Sequence, residues 1–345
     1  MSASPEDVLP LIQRKEKTHK LIMPTAILFG DINIDILMSI GPYPKKGEDA
    51  MANRITLRPG GSVANTAIVL GKLAVETMMI GCTGVDIWAD LAIDALQSSG
   101  VNTDFVVRDS KYTTGLIFIP VTSDGERTMF SYRGANIHLD PADISRAIFE
   151  DAEILHISGY NFLDSPQREA TWRAIEIAQE KTIPISLDIG VEPAQKAVNA
   201  LMSVLPDLSL LVLGMNEAGR LLGVKTKEDA IKGFLAEGVR TVAIKMGPDG
   251  CALANAECTY ELSGIDMKTV DTTGAGDAFC GGMLFGMLND LSLPACGSLA
   301  NLLGGLATTV WGAGPLLPGV NEVLEYIKGH EQVNIWDEIL EKLER

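Results

Sequence analysis

Short apolar runs and stretches of helical periodicity take turns along most of the chain. The apolar runs predict strands at Ala26–Gly30, Thr77–Gly81, Ile154–Ile157, Ile183–Asp188, Leu210–Leu213 and Val242–Lys245. Between them, apolar positions recur at helical spacing over Ser62–Leu73, Ile87–Ser99, Gln167–Glu180, Ala194–Ser203, Asn216–Leu222 and Glu228–Glu237. Strand and helix alternating in this way predict an α/β fold with a mostly parallel sheet and helices on both faces, its chemistry at the C-terminal strand ends. Two segments break the rhythm. Ile36–Leu57 and Thr103–Arg133 lack helical period and carry β-favouring residues between turn signals such as Gly41-Pro42 and Ser123-Asp124-Gly125. They predict a small separate sheet, either a lid over a pocket or a surface for a second subunit. The tail reads as two amphipathic helices, Asn321–Lys328 and Ile335–Leu343.

The densest chemistry is the run Asp271-Thr272-Thr273-Gly274-Ala275-Gly276-Asp277, directly before a small-residue helical stretch from Ala278 to Leu288. Gly274, Ala275 and Gly276 let consecutive backbone N–H groups face one point, and the helix start adds unpaired donors and the positive end of its dipole. Asp277 has two readings: an N-cap, or a base that takes the proton of an attacking hydroxyl beside a held phosphoryl group. Upstream, Gly60-Gly61-Ser62-Val63-Ala64-Asn65 opens a predicted helix, and Gly30-Asp31-Ile32-Asn33-Ile34-Asp35 ends the first strand with polar side chains. Asn33 and Asp35 fall on one side by two-residue alternation, where a carboxylate can accept from two sugar hydroxyls.

Composition narrows the partners. A net charge of -17 on 345 residues argues against a nucleic-acid partner. Met1–Lys20 is polar and charged, and no long uncharged apolar run occurs, so a membrane partner is not expected and the expected location is cytoplasmic. Cys82, Cys251, Cys258, Cys280 and Cys296 form no CxxC pair and read as free thiols.

Together, Gly30 to Asp35, Gly60-Gly61 to Asn65 and Asp271 to Asp277, in that order, resemble the ribokinase-like, or PfkB, family of carbohydrate kinases over essentially Ala26 to Ile327. Lys245-Met246-Gly247-Pro248-Asp249-Gly250 and Asn301 are similar to the family's nucleotide-side turn and adenine-side helix. The resemblance implies a three-layer ribokinase-like fold with a large α/β domain at 25–35, 59–102 and 134–330 and a β-sheet lid at 36–58 and 103–133. An N-terminal extension at 1–24 and a C-terminal helix at 331–345 complete the division. It implies ATP with Mg²⁺ as phosphoryl donor, Asp277 as base, and an anion hole from Gly274, Ala275, Gly276 and Asp277. Asp35, Gly60, Gly61 and Asn65, with Asn33, would hold sugar hydroxyls, and Asn216, Lys245, Gly247, Gly250 and Asn301 the nucleotide. Asp271 and Thr273, with backbone near Gly312, match a monovalent-cation site of the K⁺ kind. A homodimer through the lid is also implied.

Departures from the family pattern matter. Asn216-Glu217-Ala218-Gly219 has Gly219 where the family's acid stands, leaving Glu217 as a substitute near Mg²⁺, and Ser62 replaces the Lys of ribokinases proper. Arg133 reads either as a fork for a substrate carboxylate or phosphate, or as an exposed lid residue. Lys245 reads as a phosphate contact or a strand cap, and His156 as a buried core residue rather than a proton shuttle. The substrate expectation is a fructose-like, ketodeoxygluconate-like or ribose-like sugar, with a nucleoside kinase or a catalytically weak binding partner as alternatives. A nicotinamide enzyme or a P-loop enzyme would need glycine motifs that are absent.

Overall fold

The computed structural model describes residues 26–124, 126–330 and 334–344. The expected N-terminal extension therefore lies outside the described residues. Strands Ala26–Phe29, Thr77–Gly84, Ile154–Ser158, Ile185–Asp188, Leu208–Gly214 and Val242–Lys245 run parallel as the centre of one sheet. Cys251–Ala254 and Thr259–Leu262 extend it antiparallel at one edge.

Each central strand is apolar on both sides, and the two-residue pleat sends its side chains into two separate cores. Leu28 and Val212 join one core, packed by helices Ser62–Lys72, Ala275–Leu288 and Leu293–Ala307, while Phe29 and Leu213 join the other, packed by Gln167–Glu180 and Lys227–Ala236. Three layers result. In the first core, helix Ala275–Leu288 lies hard against its neighbour: a Cβ on Gly282 would fall 2.6 Å from Ala300 Cα, and one on Gly286 2.4 Å from Cys296 Sγ. The last helix, Asn334–Leu343, adds Trp336 and Ile339 to this core.

A second sheet of four strands is ordered Ala52–Gly60, Asn33–Ile40, Gly115–Val121, Phe130–Tyr132. Its strands begin at Asn33 and reach Gly60, so they take in residues expected in the large domain. Val106–Asp109, expected in the lid, instead pairs parallel with Thr77–Gly84 of the large sheet, and Val107 packs on its second core. The predicted helix Ala194–Ser203 is two short helices, Val191–Lys196 and Val198–Val204, meeting at Ala197 with φ -117°. All five cysteines are free thiols. Among the described residues no helix is long and apolar enough to cross a membrane.

Candidate active site

Two cavities meet at the turn before helix Ala275–Leu288. The larger, about 530 Å³, is lined by Lys245, Gly247, Gly250, Asn301, Ala275 and Gly276 among others. The smaller, about 270 Å³, is lined by Asn33, Asp35, Gly61, Asn65, Gly274 and Asp277, with Arg127, Arg133 and Glu192. Thr272 lines both. The turn is thus a common wall, with Gly276 on one side and Asp277 on the other.

Gly274 caps the helix at φ 79°, a conformation that suits glycine, and Asp277 stands within the first helical turn. The N-cap reading of Asp277 does not hold. Its Oδ2 instead accepts from Asn65 Nδ2 at 2.7 Å, and Thr66 Oγ1 donates to its carbonyl at 3.2 Å. Burial pushes the Asp277 carboxyl up to about 7, with the Asp188 charge adding to the rise and the Asn65 bond and the Lys245 charge opposing it. Ala275 N–H closes the turn onto the Thr272 carbonyl at 3.3 Å, leaving Gly276 and Asp277 N–H as the first groups at the helix start without intrahelical partners.

Asp35 stands on strand Asn33–Ile40, in register with Ile117 and, beyond it, Ser131, and all three line the smaller cavity. It is 7% exposed, and burial followed by the charges of Asp277 and Asp271 pushes its carboxyl up to about 7. Gly60 does not line the cavity; it makes room for Asp35, since a Cβ there would meet Asp35 Oδ2 at 2.5 Å. Gly61, at φ 104°, would place a Cβ 2.2 Å from the Asp31 carbonyl. Asn65 uses its amide twice within the protein, on Asp277 and as acceptor from Gly314 N–H at 3.2 Å. Asn33 Oδ1 likewise accepts from Asn136 at 2.8 Å.

Arg133 fits neither of its two readings from sequence. It is partly buried, and its fork is taken by Asp31 at 2.7 and 2.9 Å and by Asp164 at 2.8 Å. Lys245 lines the larger cavity beneath the turn, where a Cβ on Gly276 would come 3.3 Å from its Nζ. Burial opposes its charge, but Asp188 at 2.7 Å more than offsets this and holds the ammonium above its usual range. His156 is buried, bonded through Nδ1 to Ser186 Oγ at 3.0 Å, and burial, then the Lys245 charge, pushes it down to about 3. It is a neutral core residue.

The expected metal residues do not converge. Glu217 caps its own helix by accepting from Gly214 N–H at 3.1 Å, Asn216 accepts from Arg220 at 3.1 Å, and neither lines a cavity. Asn301 is anchored to the Leu262 and Ser263 carbonyls at 3.3 and 3.1 Å while facing the larger cavity. Among the described residues no cluster of three or more His, Cys, Asp or Glu could hold a metal ion. At the expected K⁺ position both carboxylate oxygens of Asp271 already accept hydrogen bonds. Its Oδ2 accepts from Gly312 N–H at 2.9 Å, and its Oδ1 from Thr273 N–H at 3.0 Å, Thr273 Oγ1 at 2.8 Å and Arg127 Nη1 at 3.1 Å. An added cation does not fit that set of donors. Arg127 and Glu192 line the smaller cavity, and Asp164 braces Arg133 beside it, though local sequence pattern left all three unmarked; Asp31 lay within the Gly30–Asp35 motif without an assigned role.

This fold and this pair of cavities define a carbohydrate kinase. The chain belongs to the pfkB family of carbohydrate kinases, matched over residues 23–319, and so to the phosphotransferases with an alcohol group as acceptor. It is 27% identical over 310 residues to a probable fructokinase-5 of Arabidopsis thaliana, covering 86% of this chain and 94% of that one. Among solved structures it superposes on a putative ribokinase II of E. coli in complex with ATP and Mg²⁺ at a TM-score of 0.81 and 25% identity, over 89% of this chain and 100% of the other. A ribokinase of Arabidopsis thaliana complexed with ribose and ATP gives 0.76 and 27%, over 89% and 99%.

Proposed function

We propose that the chain transfers the γ-phosphoryl group of ATP to a hydroxyl of a neutral monosaccharide, a fructose-like ketose first, with Asp277 as general base. The observation that carries this reading is the shared wall: one turn presents a carboxylate to the smaller cavity and helix-start N–H groups toward the larger. The acceptor hydroxyl gives its proton to Asp277, its oxygen bonds to the γ-phosphorus, and the bond from that phosphorus to the bridging oxygen breaks to release ADP. The Gly276 and Asp277 N–H groups and the Lys245 ammonium meet the charge on the transferring group, where positioned positive charge counts most. A carboxylate that titrates near 7 is matched to this work at neutral pH. Mg²⁺ enters as part of the ATP substrate and neutralises phosphate charge; Asn216 and Glu217 line neither cavity and are bonded at their own helix, so no step is assigned to a protein-bound metal.

Charge in the smaller cavity favours a neutral acceptor over a sugar acid. Asp31, Asp35, Glu192 and Asp277 line it, and its two arginines are already paired, Arg127 with Asp271 and Arg133 with Asp31 and Asp164. A substrate carboxylate would meet acids with no free cation among the described lining residues. The fructokinase relative agrees with this preference. The exposed row Leu57, Phe118 and Phe130 on the outer face of the small sheet supports the pairing of two copies there.

Coupled-assay turnover with fructose, ribose, 2-keto-3-deoxygluconate and adenosine tests the reading. A neutral sugar should exceed the sugar acid in kcat/KM by at least about tenfold, the equivalent of about 1.4 kcal/mol. Preference for the acid or for the nucleoside would overturn the substrate assignment, and no turnover with any acceptor would overturn the kinase mechanism.

A further inference from the structure

The turn that family resemblance would supply with a monovalent cation is supplied here by a side chain. Arg127 Nη1 donates to Asp271 Oδ1 at 3.1 Å and to Thr273 Oγ1 at 2.6 Å, while its Nη2 donates to Thr272 Oγ1. A guanidinium spreads several donors in one plane, so a single group reaches three consecutive residues of the turn. Asp271, 8% exposed, receives four N–H or O–H donors in all, three on Oδ1 and one on Oδ2. A metal cation on the Oδ1 side would have to displace the donors there and would sit beside a charge of its own sign.

We propose that Arg127 is this chain's built-in activating cation, ordering the Asp271–Thr273 turn so that catalysis does not depend on K⁺. It is a positioning residue, acting through the turn that carries Gly276 and Asp277. Arg127 bridges to Val121 at the end of the small sheet. Its charge therefore reaches the turn through the small sheet, which ties the order of the turn to the position of that sheet. A soluble cation would order the turn whatever the position of the sheet. The inference rests on the kinase reading above.

The test compares the full chain and its Arg127→Ala and Arg127→Gln variants in KCl, NaCl and tetramethylammonium chloride at equal ionic strength. Wild-type kcat should agree within about twofold in all three salts. Each variant should lose at least about tenfold in kcat in tetramethylammonium, with a smaller change in sugar KM, and recover part of that loss saturably in KCl. Melting temperature gives a readout that needs no turnover. KCl should raise the Tm of either variant relative to tetramethylammonium and leave that of the wild type unchanged, so the cation assignment stands or falls apart from the acceptor's identity. Saturable K⁺ activation of the wild type would overturn the proposal, and so would variants with undiminished kcat. A loss that K⁺ does not restore would also overturn it, because the guanidinium would then act on the phosphoryl group itself.

Discussion

Replacing Asp35 with Asn should stabilise the sugar-free protein, and should do so only above the acid range. The Asp35 carboxyl is raised from 3.8 to about 7, first by burial and then by the charges of Asp277 and Asp271. A raised carboxyl binds its proton more tightly in the folded state. Stability is therefore full below the unfolded value of 3.8 and is lost as pH rises through the folded value near 7. A shift of roughly three units at about 1.4 kcal/mol each amounts to about 4 kcal/mol, an upper bound because the Asp277 charge that adds to the rise itself changes with pH over the same range. Asparagine keeps the shape and cannot ionise, so Asp35→Asn should be more stable than the wild type by about 2–4 kcal/mol at pH 8, with the gap shrinking to about 1 kcal/mol near pH 4.5. Any cost of housing the amide is the same at both pH values and cancels from the difference. Urea unfolding of both proteins without sugar, at pH 4.5 and pH 8, measures it. A gap independent of pH, or a variant less stable at pH 8 than at pH 4.5 relative to wild type, would refute the reasoning. Under the proposed function the same substitution should weaken sugar binding, stability being gained at the expense of a group that contacts the acceptor.

Two further outcomes are expected. Asp277→Asn should lower kcat by roughly 10²–10⁴-fold with sugar KM little changed, and wild-type kcat should fall below about pH 7 as Asp277 takes up its proton; a near-normal rate in the variant, or a flat pH profile between 5 and 8, would remove Asp277 as the base. Gly60→Ala, whose Cβ would sit 2.5 Å from Asp35 Oδ2, should push the carboxylate out of place and raise sugar KM by about tenfold. Isothermal calorimetry showing unaltered sugar affinity would sink that account.

The central strands were legible because a strand buried on both faces is largely apolar, throughout at Ala26–Phe29 and with Ser209 as the one polar side chain at Leu208–Gly214. The edge strands Cys251–Ala254 and Thr259–Leu262 were not, being four residues each and, in the outer one, mostly exposed. Helix Leu293–Ala307 carries apolar and small residues all round because it is pressed between the sheet and helix Ala275–Leu288, so its amphipathic period is faint. In the site, Asp35, Gly61 and Asp277 could be picked out because each belongs to a short local pattern. Arg127 could not. Its partners Asp271 and Thr273 lie 144 and 146 residues away, and only the folding of the small sheet onto the turn joins them. The same holds for Arg133 and Asp31, 102 residues apart, whose pairing converts an apparent anion receptor into a neutralised strut.

The contact of Gly282 and Gly286 with Ala300 and Cys296 has a bearing on a side reaction that any such enzyme must suppress. Water can replace the sugar as acceptor and would waste ATP. Asp277 belongs to the helix locked by those glycine contacts, whereas Asp35 belongs to the four-stranded sheet and Arg127 to the loop that bridges to its end at Val121. Under the proposed function the base stands on the helix and Asp35, the group proposed to recognise the acceptor, on the sheet, so an acceptor that reaches both is positioned better than a lone water. Fidelity to the sugar would then come from the division of the site between helix and sheet, without any group dedicated to excluding water.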